Sequence, residues 1–115
     1  MLYVEQPAGV GFSYADHQVE MGDAVAAKLN TEFILAFFKA FPERQNNDFY
    51  ISGESYAGVY IPMFADNLIQ HNAAAVNHGG GGGGGGGSAA SAAVVNLKGL
   101  IIGNGCNGET RTTRQ

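Results

Sequence analysis

Tryptophan is absent from the chain, cysteine occurs once and proline three times in 115 residues. The single thiol, Cys106, closes no internal disulfide, so neither a cross-linked scaffold nor a redox compartment can be read from it. Charged residues make up only 14%, low for the surface of an independent domain of this size. The net charge of −4 argues against nucleic acid or an anionic membrane surface as partner. No apolar run approaches the ~20 residues that span a bilayer. No Asn-x-Ser/Thr acceptor site occurs, and the opening "MLYVEQP" lacks the positive start and apolar stretch of a secretory signal. That opening enters a strand-like segment at once, so Met1 is expected to lie inside a longer protein.

What is present suffices for a core: 45% of the residues are hydrophobic. Leu2 to Glu5 reads as a short buried strand closed by Pro7, followed by a glycine-rich loop from Pro7 to Tyr14. Val25, Leu29, Phe33, Phe37 and Phe41 recur every four residues, with Ile34 and Phe38 widening the stripe, which predicts an amphipathic helix. Glu20 and Asp23 lie near its start, where they oppose the helix dipole, and Pro42 ends it. Phe49 to Ser52 predicts a second strand, Tyr56 to Gln70 a helix interrupted at Pro62, and Val95 to Ile102 a third strand. Strand–helix–strand–helix–strand is the pattern of an α/β fold with parallel pairing and right-handed crossovers.

Between the last helix and strand, residues 73–93 form a Gly/Ala-rich, low-complexity span holding nine consecutive glycines, Gly79 to Gly87. A phosphate-cradling loop would end in Gly-Lys-Ser/Thr, which is absent. The span reads as an inert insertion within one partial domain covering 1–115, because polyglycine loses the most entropy on ordering and has no side chains to bury. Gly9-Val10-Gly11 invites a dinucleotide-binding reading, but Tyr14 stands where glycine or alanine is required and Pro7 disrupts the approach. No cofactor and no metal site is expected.

The chemistry concentrates in "DFYISGESYAGVY", Asp48 to Tyr60. Gly53-Glu54-Ser55-Tyr56-Ala57 fits G-x-S-x-[G/A] between a strand and a helix, the setting of a nucleophile elbow. A tight turn there lifts the serine oxygen clear of the sheet, and the residues two before and two after must be small to approach each other. The helix beginning at the turn directs backbone N–H groups toward a developing oxyanion. The competing reading is an ordinary strand-to-helix turn. Glu54 is either a solvated turn residue or a protonated donor, since an ionised carboxylate beside the nucleophile would repel an anionic group. Neither His17, His71 nor His78 qualifies as the catalytic base. Asp66 lies roughly 16 Å along the second helix from Ser55 at 1.5 Å per residue, too far for a relay.

The segments "VEQPAGVGFSY", "FFKAFPE", "NDFYISGESYAGVYIP" and "NLKGLIIGNG", in that order, resemble the serine carboxypeptidase family over everything but the low-complexity span. The resemblance implies an α/β-hydrolase fold, here a strand–helix–strand–helix–strand fragment of its three layers. It implies hydrolysis of C-terminal peptide bonds through an acyl-enzyme on Ser55, with peptide or protein C-termini as substrates. By position, the Tyr56 N–H becomes an oxyanion donor and the Tyr56 side chain lines the pocket for the residue preceding the scissile bond. Glu54, protonated, becomes the group that binds the substrate's terminal carboxylate. Cys106, after "GNG", either lines the same pocket or pairs with a cysteine outside this chain. The family's upstream glycine-rich block and its later Asp and His are missing here, and the polyglycine insertion is unlike the family. The 115 residues alone are therefore expected to be inactive. An acyltransferase of the same family, or an inactive truncated product, are the alternatives. The family also implies the secretory pathway, a vacuole or lysosome, or the extracellular space; the oligomeric state is not legible.

Overall fold

A computed structural model describes residues 1–17, 20–79 and 94–106. Helix α1 spans Asp23–Ala40, and a short 3-10 turn at Pro42–Arg44 follows it. Strand β1 is Phe49–Glu54, helix α2 is Ala57–Gly79 and strand β2 is Leu97–Gly103. The two strands pair in parallel, from Phe49 opposite Leu97 to Glu54 opposite Gly103, with one irregularity between Phe49 and Tyr50. Parallel pairing demands a crossover, and α2 supplies it.

The core lies where both helices meet β1. Ala27, Ile34 and Phe38 of α1 join Ile51 of β1, the α2 residues Ala57, Ile61, Phe64, Ala65 and Leu68, and Val95 just before β2. Thr31 is buried within this face and its hydroxyl donates to the Ala27 carbonyl at 2.9 Å, so no polar group is stranded. The expected α1 stripe is corrected in part. Ile34 and Phe38 are buried as expected and Phe37 packs against the core, but Val25, Leu29, Phe33 and Phe41 are exposed and Ala27 and Thr31 complete the buried line. Helix α1 is apolar around much of its circumference, so a four-residue repeat alone did not say which face α2 would take.

The expected strand at Leu2–Glu5 is also corrected, because the described sheet contains only β1 and β2. A strand exists by pairing, and this segment pairs with neither. Its end is occupied locally instead: Phe12 N–H donates to Glu5 Oε2 at 2.6 Å and the Ser13 hydroxyl donates to the Glu5 carbonyl. A side chain at Gly11, whose φ is +57°, would collide with the Glu5 carboxyl, so glycine suits the loop twice over. Asn30 Nδ2 donates to Gln6 Oε1 at 2.8 Å and ties the loop to α1.

Helix α2 begins at Ala57, runs through Pro62 and reaches Gly79. Pro62 has no N–H to donate to the Gly58 carbonyl, yet the loss falls near the helix start. The expected helix end at Gln70 is corrected: residues 73–79, the first part of the Gly/Ala-rich span, continue α2. Ala73, Ala74 and Ala75 have the best intrinsic helix propensity, and Ala75 is buried. The remainder of that span, residues 80–93, lies outside the described residues.

Asn72 joins α2 to the start of β2. Its Nδ2 donates to the Val95 carbonyl at 2.7 Å, and its Oδ1 accepts from the Val95 N–H at 2.9 Å. Val95 is 1% exposed, so the Asn72 amide satisfies a backbone that has little access to water. Asn72→Ala leaves the Val95 N–H unpaired, while the carbonyl keeps the Leu97 N–H at 2.8 Å, and is expected to cost about 1–3 kcal/mol. Asn72→Asp keeps an acceptor for that N–H but sets a carboxylate oxygen against the Val95 carbonyl, so it too should destabilise. Urea denaturation of the three proteins measures this; equal midpoints would contradict it.

Candidate active site

Ser55 connects β1 to α2 with φ of +59°, a left-handed backbone unusual for a residue with a Cβ. Its conformation is fixed from three directions. The Ser55 N–H donates to the Gly103 carbonyl at 2.9 Å, extending the β1–β2 ladder by one bond. Its carbonyl accepts from the Gly58 N–H at 3.0 Å, in the first turn of α2, and from the Cys106 N–H at 2.8 Å. Asn104, at φ of +46°, turns the chain after β2 so that Cys106 arrives there. Ser55 itself is exposed.

The small residues around the serine have specific neighbours. A Cβ on Gly53 would lie 2.7 Å from the Ala57 Cβ, closer than real carbons approach, and a tight 3.0 Å from Ile61 Cδ1. Ala57 is fully buried, so the small residues two before and two after Ser55 do face each other as the turn requires. Gly58 has a role that the sequence did not reveal. A Cβ there would lie 2.8 Å from the Cys106 backbone nitrogen, so its absence admits the chain that follows β2.

All four residues singled out from the sequence therefore meet at one point. Glu54 ends β1 and is exposed; Ser55 follows, then Tyr56, which is half-exposed, and the exposed Cys106 thiol stands alongside. One participant was missed. Tyr56 Oη donates to Asp23 Oδ2, on the first turn of α1, at 2.9 Å. This hydrogen bond, then desolvation, then the charges of Asp23 and Cys106 raise the Tyr56 phenol above its ordinary pKa, so the group remains a donor through neutral pH. The Tyr60 ring lies 6.2 Å from the Tyr56 ring, tilted by 49°. Asp23 is 33 residues from Tyr56, and its position in the sequence suggested only a helix-dipole partner.

His17 is exposed in the segment before α1, and His71 lies on the distal part of α2; the His78 side chain is outside the described residues. Among the described residues no three His, Cys, Asp or Glu side chains converge as a metal ion would require. No described helix is long and apolar enough to cross a membrane.

The serine carboxypeptidase family model matches residues 1–115. The chain belongs to the serine carboxypeptidase family. A probable serine carboxypeptidase of Dictyostelium discoideum is 39% identical over 99% of this chain and 20% of its own length. A pheromone-processing carboxypeptidase of Debaryomyces hansenii is 39% identical over 91% of this chain and 13% of its own length. Among solved structures, the crystal structure of a prohormone-processing carboxypeptidase from Saccharomyces cerevisiae superposes with a TM-score of 0.67 at 32% identity, over 89% of this chain and 20% of that one. The fold is thus a fragment of the α/β-hydrolase fold, and this serine carboxypeptidase chain spans about a fifth of the relatives it matches.

The strained serine generates a stability prediction. A left-handed conformation costs a residue with a Cβ roughly 1–2 kcal/mol, and glycine avoids that cost. Ser55→Gly is expected to be more stable than Ser55→Ala by roughly 1 kcal/mol, although glycine ordinarily destabilises a structured position. Thermal unfolding of the two variants decides it; an alanine variant as stable as the glycine one would mean that the turn is unstrained.

Proposed function

We propose that this chain carries the nucleophile and part of the substrate site of a serine-type carboxypeptidase that acts on peptide or protein C-termini. The observation that carries the proposal is Ser55 at φ of +59°, exposed between β1 and α2. Family membership supports the reaction class. Ser55 Oγ attacks the carbonyl of the last peptide bond and loses its proton. The resulting oxyanion collapses to an acyl-enzyme, and the C-terminal amino acid leaves with a proton on its nitrogen. Water then adds to the ester, releasing the shortened peptide and restoring the hydroxyl. The Tyr56 N–H, next to the nucleophile, is assigned to the oxyanion. None of the chain's own histidines is assigned as base.

Glu54 is assigned to the substrate's terminal carboxylate. The Tyr56 ring and the Cys106 side chain flank the residue preceding the scissile bond. The exposure of Glu54, Tyr56 and Cys106 around the Ser55 turn supports this division of labour.

Two variants in the whole polypeptide containing these residues test the reading. Ser55→Ala should abolish turnover, by roughly 10⁶-fold in kcat where a triad serine is removed. For Glu54→Ala, KM is measured on a peptide with a free C-terminus and on its C-terminal amide. Loss of the side chain should raise KM for the free acid and leave the amide nearly unchanged. Equal changes on both substrates would reduce Glu54 to a solvated turn residue.

A further inference from the structure

Asp23 opens α1 and Tyr56 directly precedes α2, so the hydrogen bond of 2.9 Å between Oη and Oδ2 clips the starts of the two helices together beside Ser55. A first-turn carboxylate is favourable to its own helix dipole whatever it touches. Here it also accepts from the far end of a ring whose near end is bonded to the residue after the serine. Charge-assisted hydrogen bonds are roughly twice as strong as neutral ones, so the carboxylate suits this task better than a neutral acceptor. The groups that face or flank the phenol are Asp23 from α1, Tyr60 on α2 and Cys106 beyond β2.

We propose that Asp23 is a positioning residue for the acyl-side pocket. By anchoring the hydroxyl of Tyr56, it holds the ring as a fixed wall beside Ser55 for an apolar or aromatic side chain of the substrate. The same carboxylate disfavours an acidic side chain in that place. The inference rests on the acyl-enzyme reading of Ser55 and deepens it by naming the residue that positions the ring beside the serine.

The test uses Asp23→Ala, Tyr56→Phe, their double variant and Asp23→Asn in the whole polypeptide. NMR of ring-labelled tyrosine, with Tyr56→Phe identifying the signal, follows phenol ionisation. Steady-state kinetics compares substrates with Phe or Glu before the scissile bond. Asp23→Ala should lower the pH at which Tyr56 ionises. It should also raise KM for the Phe substrate about five-fold, the ratio that one hydrogen bond of ordinary net strength supports, with a smaller change in kcat. Tyr56→Phe should produce the same rise, and the double variant no more than either single change. Asp23→Asn retains an acceptor oxygen and should recover part of the loss, while improving the Glu substrate relative to the Phe one. Additive losses in the double variant, or a Tyr56 ionisation unmoved by Asp23→Ala, would overturn the proposal. Should Asp23→Ala fail to fold, Asp23→Asn and Tyr56→Phe carry the same comparison. Turnover surviving in Ser55→Ala would remove the acyl-enzyme reading alone, and the phenol titration would still decide whether Asp23 holds the ring.

Discussion

The backbone of Ser55 is where the described elements are joined. Its N–H extends the ladder to Gly103, and its carbonyl receives both the first turn of α2 and the chain after β2. Three hydrogen bonds on one residue hold a conformation that costs a Cβ-bearing residue roughly 1–2 kcal/mol to adopt. The surrounding sequence is arranged to permit this convergence. Gly53 lets Ala57 approach from one side, and Gly58 lets Cys106 approach from the other. Strand, helix and following segment therefore reach a common point, and the hydroxyl between them is exposed.

That convergence also explains how residues distant in sequence form one site. Cys106 reaches Ser55 because β2 runs parallel to β1 and ends level with it, at Glu54 opposite Gly103. Parallel strands bring their C-terminal ends to the same edge, where ligands of open α/β sheets bind. Asp23 arrives by another route, through the packing of α1 on α2 along Ala27, Ile34 and Phe38. Core packing thus places a carboxylate 2.9 Å from the phenol of Tyr56. A site that looks like a five-residue motif depends on helix packing and on strand register as well.

The sequence was most informative where local geometry dictates residue type. The G-x-S-x-A spacing stated which positions must be small, and the β1–Ser55–α2 junction has that form. The parallel pair and both helices were legible from periodicity and from the prolines and glycines at their ends. Legibility failed where the deciding partner lies elsewhere in the chain. Leu2–Glu5 has strand-like residues but no strand beside it among the described residues. The buried face of α1 was set by α2, because aromatic and aliphatic residues occupy too much of its circumference for one stripe to stand out. The Asp23–Tyr56 bond leaves no local pattern at all. The extension of α2 through Ala73–Ala75 follows from propensity, but the adjoining polyglycine obscured it.

The central claim is that Ser55 is an activated nucleophile rather than a residue in an ordinary turn. Covalent labelling tests it most directly: the whole polypeptide containing this chain is treated with a fluorophosphonate, digested, and the adduct located by mass spectrometry. The account predicts a single phosphonylated serine at Ser55, lost on prior heat denaturation because reactivity depends on the folded turn. An adduct on any other serine with Ser55 unmodified, or equal labelling of native and denatured protein, would contradict it.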